Sequence, residues 1–383
     1  MAVKRVSKSL RALSKSAALI PLYSSYASAD APPAFTELGL RFTKYKEAKI
    51  DSEKVIYGST DRYDIDVTQA NLITPIGRNW SFTLDVQHDA MSGASPWFVG
   101  TNAYSQPGVI MSGASISDNR TEVAATTRYY FDNGNSGIKL SRSEEDDYAS
   151  KSITIDSSFN SSDNLRTYSV ALSRSNDEIK PTQGKVPTGF KFGRKNTESV
   201  WLAISQIINR TIITKFGLSY TQRRGQLSDP YKLLDMRPNA RNSSTVNVSY
   251  RQYFNSKNAS LRLDYRYYSD TWDIRAQTLT AEWYQNFKFA AVVPYLRYYS
   301  QTEAQFFNTI AETEQAYFSD DYRLSSFGAI TTGIRTEYDF KKWKFELQAE
   351  RYKTDPAWSI SKGKDSPAIV DFWRLSLGMR YRF

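Results

Sequence analysis

The stretch WRLSLGMRYRF, residues Trp373 to Phe383, alternates strictly in character. Trp373, Leu375, Leu377, Met379, Tyr381 and Phe383 share one parity, and Arg374, Ser376, Gly378, Arg380 and Arg382 share the other. Successive side chains of a strand point to opposite faces, so the segment predicts a strand with one apolar, aromatic face and one polar, cationic face. Such a strand is suited to border lipid on one side and water on the other.

The same alternation recurs towards the N-terminus. Trp80, Phe82, Leu84 and Val86 interleave with Ser81, Thr83, Asp85 and Gln87; Trp343, Phe345, Leu347 and Ala349 interleave with Lys344, Glu346, Gln348 and Glu350. From Ala34 onward the chain divides into sixteen such segments, at 35–46, 62–74, 80–91, 118–131, 136–145, 149–160, 164–175, 197–208, 211–222, 243–254, 258–269, 272–285, 287–300, 326–339, 343–353 and 371–383. Parity slips at Val67 to Ala70, which suggests a bulge. The connections alternate in length: PIGRN (75–79), DNGN (132–135) and NSKN (255–258) are short, whereas 92–117, 176–196, 223–242, 301–325 and 354–370 are long. Short periplasmic turns and long external loops are the rhythm of a transmembrane antiparallel barrel. The expected fold class is therefore an all-β outer-membrane β-barrel of about sixteen strands with both chain ends in the periplasm. The short connections near Asp147 and Ser269 to Thr271 depart from the rhythm. Aromatic pairs such as Tyr253-Phe254 and Tyr298-Tyr299 fit interfacial girdles.

Composition agrees. The 383 residues include 26 Tyr, 20 Phe and 8 Trp, yet mean hydropathy is −0.54. No run approaches the roughly 20 apolar residues that a transmembrane helix needs, and a barrel hides its apolar half because alternate residues face water. The absence of cysteine removes disulfides, thiolate chemistry and iron–sulfur ligation. The single histidine, His88, rules out a multi-histidine metal site or relay, so neither a cofactor nor a metal is expected.

Lys4, Arg5, Lys8, Arg11 and Lys15 precede the apolar stretch Ala17 to Leu22 and then Ala27-Ser28-Ala29. That order predicts a secretory signal over 1–29 and a single barrel domain over 30–383. Removing those five basic residues halves the formal charge of +10 to +5. With no phosphate-binding glycine motif and with basic residues alternating with aromatics, nucleic acid is not an expected partner.

A chain that closes on such a strand with a terminal Phe383 resembles the last strand of bacterial outer-membrane barrels, and the resemblance implies that the barrel-assembly machinery reads that aromatic as an assembly signal. The phrase Ser-Gly-Ala-Ser occurs twice, in MSGASPWF (Met91 to Phe98) and MSGASISDNR (Met111 to Arg120), followed by RTEVAATTRYYF. This duplication resembles a family of uncharacterised proteobacterial outer-membrane proteins, a domain of unknown function. That likeness implies an outer-membrane location and no agreed activity. Ser92, Gly93, Ser95, Ser112, Gly113 and Ser115 would let the loop fold back tightly, with Trp97 and Phe98 as apolar anchors.

A sixteen-stranded barrel is wide enough for an aqueous channel. Parity assigns Arg251, Arg262, Arg266, Arg335, Arg374, Arg380 and Arg382 to the lumen, with Asp64, Asp66, Asp85 and Glu122 facing them. Opposed charged walls would orient polar solutes and favour or reject ions; the alternative is that the charges pair across neighbouring strands in a plugged lumen. Two acidic clusters, Glu144 to Asp147 and Ser319-Asp320-Asp321 with Glu312 and Glu314 nearby, lie in expected external loops and read as solvated charge runs rather than calcium sites. His88 and Ser92 are the only nearby pair for a lipase-like centre, and no G-x-S-x-G elbow is present, so no enzyme is expected. The expected function is an outer-membrane pore for small polar or ionic solutes, weakly anion-preferring, set in lipid and lipopolysaccharide. The alternative is a non-conducting barrel that holds a protein partner at loops 92–117 and 301–325, as a scaffold in an export or redox assembly.

Overall fold

The structure, a computed structural model, describes residues 31–102, 106–112, 116–181, 190–232, 234–310 and 315–383. The expected signal at 1–29 and the residues Gly113, Ser115, Glu312 and Glu314 lie outside these. Among the described residues nineteen strands are present: β1 (Glu37–Glu47), β2 (Val55–Tyr57), β3 (Asp64–Ile76), β4 (Trp80–Gly93), β5 (Pro96–Thr101), β6 (Pro107–Met111), β7 (Ile116–Phe131), β8 (Gly134–Glu144), β9 (Tyr148–Asn160), β10 (Arg166–Ile179), β11 (Gly193–Ile207), β12 (Ile212–Gly225), β13 (Ala240–Phe254), β14 (Ala259–Asp270), β15 (Arg275–Asn286), β16 (Ala290–Gln301), β17 (Phe327–Phe340), β18 (Trp343–Asp355) and β19 (Phe372–Arg382).

Sixteen of them close an antiparallel barrel, each paired with its neighbour in chain order and β1 sealed against β19. These are the sixteen segments that the alternation predicts, with ends that differ by a few residues. Among the described residues no helix is long and apolar enough to cross a membrane. The barrel answers the requirement that backbone groups in lipid be paired without a free edge. Leu38, Leu40 and Phe42 on β1 and Leu375, Leu377 and Met379 on β19 are exposed and pair in register, which makes them part of the apolar outer face. Residues opposite one another in register share a face, so the whole barrel can be sorted into outward and inward sets. An aromatic row at the end holding Glu37 and Arg382, with Trp80 against Tyr129 (4.8 Å) and Trp343 against Tyr381 (4.6 Å), marks one membrane interface. Phe383 continues it, packed edge-on to Tyr381 at 5.0 Å.

The remaining strands were not legible as strands. β2, β6 and β5 form a three-stranded sheet within the loops at 48–63 and 94–115. Together with loops 226–239, 302–326 and 356–371 it builds a folded cap at the end opposite Glu37 and Arg382, the external end by the short-turn, long-loop rule.

Candidate functional site

The inward face has three arcs of different electrostatic character. On β17, β18, β19 and β1 the charges are matched: Arg374 meets Glu350 at 2.8 Å, Arg382 and Arg380 meet Glu37 at 2.7 and 3.5 Å, and Arg335 and Lys344 meet Glu337 at 3.4 and 2.7 Å. On β4, β7 and β9 the acids are also held, with Asp85 accepting from Asn71 at 2.6 Å, Glu122 at 3.7 Å from Arg120, and Asp156 at 2.7 Å from Arg128. The third arc is β12 to β16. Arg262 pairs there with Asp264, but Lys215, Arg223, Arg251, Arg266 and Arg297 form no ion pair with any described residue. Arg266 and Arg297 are inward yet exposed, so they meet water inside the barrel.

Two of the expected lumen residues face the other way. Asp66 is in register with Lys44 and Ala90, and Asp64 with Lys46 and Ser92, which places both carboxylates on the outward face. They sit at the external rim, where Lys44 bonds Asp66 at 3.1 Å and Lys46 lies 3.8 Å from Asp64. Rim positions meet headgroups and water, so charge there is compatible with facing out. The inward residues of that segment are Ile65 and Val67. No bulge interrupts the β3 register, so the apparent parity slip is an exchange of polar and apolar positions.

Five loops interlock in the cap around Ser319, Asp320 and Asp321, all essentially buried at 0, 2 and 0% exposure. Asp320 accepts the Val99 N–H and lies 3.4 Å from Lys232, which also donates to the Pro96 carbonyl at 3.2 Å. Asp321 binds Arg237 at 2.8 Å and also Arg323, whose guanidinium reaches Asp229 at 3.3 Å. Burial alone would raise the Asp321 pKa, but Arg323 and Arg237 overcome it and hold the carboxyl well below the usual carboxylate range. Burial pushes Asp320 the opposite way, with Lys232 opposing. Next to this hub, Arg62 donates to Glu47 at 2.8 Å and to the Ala368 carbonyl at 3.1 Å, and its guanidinium lies over the Tyr322 ring. Two apolar cores support the ions: Trp272, Ile274, Phe306, Phe307 and Leu324 form one, and Ile50, Ala94, Val109, Met111 and Ala368 the other. The cap is thus a packed unit whose polar centre joins segments from separate arcs of the barrel rim. The solvated charge run expected at 319–321 is corrected by that burial.

The duplicated small-residue phrase acts inside this unit. The Ser95 N–H donates to Ser112 Oγ and the Ser112 N–H to the Ser95 carbonyl, both at 2.9 Å, so the first copy is bonded to the second. Gly93 has φ +131°, and a Cβ there would stand 2.3 Å from the Arg62 carbonyl oxygen. Gly93→Ala is expected to cost about 1–3 kcal/mol through the unfavourable φ and the forced displacement of Arg62, seen as faster proteolysis of the 48–63 and 94–115 loops with barrel heat-modifiability unchanged. Phe98 is half-buried, but Trp97 is 43% exposed and is not the apolar anchor expected of it. Ser92 is exposed on the outward rim, and its hydroxyl lies 3.5 Å from the Asp64 carbonyl. His88 is also outward, hydrogen-bonded to Thr121 at 3.1 Å.

A family model described as a protein of unknown function, DUF3570, matches residues 15–367. The chain belongs to the DUF3570 family. Among curated proteins no sequence matches. Of the solved structures, CdiB from Acinetobacter baumannii aligns with TM-score 0.51 at 9% identity, covering 92% of this chain and 60% of its own, so the DUF3570 chain spans less than two thirds of that protein. OccD3 from Pseudomonas aeruginosa aligns at 0.46 and 8% identity over 93% of each chain, and a BenF-like porin from Pseudomonas fluorescens Pf-5 at 0.41 and 8%, over 91% and 98%. The likeness to CdiB is one of fold. With its closed sixteen-stranded antiparallel wall and apolar belt, the DUF3570 chain is an integral outer-membrane barrel.

One acidic group of this DUF3570 barrel gathers more tightly than its sequence suggests. Glu145 and Asp147 in the β8–β9 turn meet Asp118 of β7, with ligand atoms within 4.8 Å of one another, a set that fits a hard cation in donor type. Burial, reinforced by Asp118, pushes the Glu145 carboxyl up to about 7. Its folded-state pKa thus exceeds the ordinary value of 4.5, so its contribution to turn stability is fully present below about pH 4.5 and is lost as pH rises through about 7. Amide exchange across 145–147, corrected for intrinsic rates, is expected to slow several-fold from pH 8 to pH 5, and Glu145→Gln should abolish the difference.

Sequence parity alone missed Lys215, Arg223 and Arg297 as inward cations. Each occupies an inward register position, and what sets them apart is the lack of an acidic partner among the described residues, which no local pattern records; Lys215 instead lies over the Trp201 ring at 4.9 Å.

Proposed function

We propose that this barrel is a pore for small polar or ionic solutes with a preference for anions, and that its external mouth is closed in the conformation described here. The observation that carries the reading is the unmatched inward arc of Lys215, Arg223, Arg251, Arg266 and Arg297, opposite arcs whose charges are matched. A one-sided excess of cations in a water-containing lumen attracts anions and repels cations. Matched residues such as Arg374, Arg380 and Arg382 shape the wall and contribute less to selectivity. The cap supplies the closure, because Lys232 from the β12–β13 loop reaches Pro96 in the β4–β7 loop across the opening. Catalysis has no place in this reading.

The test is planar-bilayer conductance of the refolded chain under a salt gradient. Rare, small steps with an anion-selective reversal potential support a capped anion pore. Large steps without ion preference contradict the assigned wall.

One observation favours a second reading, a non-conducting barrel that holds a protein partner. Ile56 and Tyr57 on β2 and Trp97 on β5 are exposed on the cap at 39, 71 and 43%, an apolar display of the kind that marks interaction surfaces. A cap that stays shut under every solute and voltage, together with recovery of one stoichiometric partner lost in a Tyr57→Glu, Trp97→Glu variant, would favour this reading over the pore. Export by a signal at 1–29, recognition of Phe383 by the assembly machinery and contact with lipopolysaccharide complete the proposed setting.

A further inference from the structure

The outward face of β8 to β12 carries a feature that conduction does not use. Register pairing aligns Arg142, Lys151, Asn176, Asn196 and Arg224 in one polar row across five strands near the external rim. Arg194 lies one outward position above, and Arg174 one below, where it meets Glu198 at 3.6 Å. Lys151, Arg194 and Arg224 form no ion pair with any described residue.

Directly beneath the row the surface turns apolar and concave. A groove of about 400 Å³ is lined by Ile153, Ile155, Leu172, Val200 and Tyr220, with Arg174 and Gln222 at its lip. A second, of about 380 Å³, continues below it between Phe159, Tyr168, Leu202, Phe216 and Leu218. From Asn176 in the polar row to Leu172 in the upper groove the strand rises about 14 Å at ~3.4 Å per residue, comparable with one leaflet of a hydrocarbon core that is ~30 Å thick in all; the lower groove, where Phe159 packs on Phe131 at 5.6 Å, lies towards the opposite interface. The corresponding arc on β14 to β16 is different: Tyr265, Tyr267, Leu279, Gln277 and Tyr298 are uncharged, and Arg275 at the rim is the one outward cation of these strands.

We propose that the face of β8 to β12 is a specific site for one molecule of a phosphorylated, multiply acylated glycolipid of the outer leaflet, that is, lipopolysaccharide. Its phosphates would lie against Lys151, Arg194 and Arg224, and its acyl chains along the upper groove. Guanidinium and ammonium groups bind phosphate through charge-assisted hydrogen bonds, strengthened where water is partly excluded. A phosphate-free apolar partner would leave Arg224 without a counter-charge at a membrane interface, and Lys151 and Arg194 with only the field of Glu178, which Lys180 already holds. A second copy of this chain would offer Asp64 and Asp66 at the outward rim, but both carboxylates are already held by Lys44 and Lys46. This inference is independent of whether the lumen conducts.

The experiment titrates the refolded full-length barrel in detergent with lipopolysaccharide, reading bound glycolipid per chain by native mass spectrometry. The proposal expects one tightly held molecule, at least tenfold weaker binding in Lys151→Glu, Arg194→Glu, Arg224→Glu, and unchanged binding in Lys353→Glu on the far side of the barrel. Enzymatically dephosphorylated lipopolysaccharide should bind at least tenfold more weakly to the native chain, a comparison that needs no variant and so stands even if the triple reversal does not refold. Equal binding of the dephosphorylated form, equal loss in the Lys353 variant, or retention by a folded triple variant would overturn it. Equal competition by phosphatidylglycerol micelles would also overturn it, by reducing the site to a general anionic-lipid surface.

Discussion

Asp321→Ala is expected to raise single-channel conductance by an order of magnitude or more. The carboxylate is fully buried and holds Arg237 and Arg323 of the cap. The Arg237 side chain is itself only 10% exposed. Removing the acid leaves Arg237 with Asp235 alone, at 2.8 Å, and leaves Arg323 to its longer contact with Asp229. Breaking a buried ion pair by deleting one partner costs about 3–5 kcal/mol, because the remaining charge is uncompensated. Even about 3 kcal/mol changes a closed-to-open ratio by roughly a hundredfold. That cost falls on the cap, since the described partners of Asp321 all belong to the cap loops. Heat-modifiability of the barrel should therefore persist while the loops become protease-sensitive. Asp321→Asn retains an acceptor but not the charge and should fall between the two. Native-like conductance in a folded Asp321→Ala barrel would mean that the loops at 226–239 and 302–326 do not close the mouth.

The second large effect concerns selectivity. In the Asp321→Ala background, Arg266→Glu with Arg297→Glu exchanges two exposed inward cations for two anions. The reversal potential is then expected to change sign, from anion- to cation-preferring, more strongly at low ionic strength where screening is weak. Arg374→Glu should behave differently. It places a second carboxylate beside Glu350, whose side chain is 6% exposed and which also accepts from Tyr295. The expected result is a lower refolding yield with little change in selectivity. If Arg374 reversal moved the reversal potential and the Arg266 and Arg297 pair did not, the matched arc rather than the unmatched one would line the ion path.

The contrast between these residues marks what the sequence discloses. All sixteen wall strands are readable because lipid forces every second residue to be apolar over about ten positions, and that constraint is local. The face of Asp64 and Asp66 is not readable in the same way. At the rim the solvent on the two sides is nearly alike, so polarity stops reporting direction, and Ile65 and Val67 take the inward positions. The small sheet of β2, β5 and β6 was hidden because strands of three to six residues carry too few alternations to register. The ionic hub at Ser319 to Asp321 was hidden for a stronger reason. Its partners, Lys232, Arg237 and Val99, come from loops more than eighty residues away in the chain, and a run of acids looks the same whether water or arginine surrounds it.

The seam between β1 and β19 sets the order of events in folding. Hairpin turns can align most neighbouring strands as they form, but Glu37 and Arg382 are 345 positions apart with no turn between them. Their register must be chosen by side chains, here the Thr43–Ser376 hydroxyl contact at 2.8 Å and the grip of Glu37 on Arg382 and Arg380. A slip of one residue would turn Arg382 towards lipid and Tyr381 towards water. Joining ends so distant along the chain carries the largest loop-closure entropy in the molecule, so sealing is expected to be the slow step. Until it is complete, both terminal strands offer unpaired backbone to any other strand within reach.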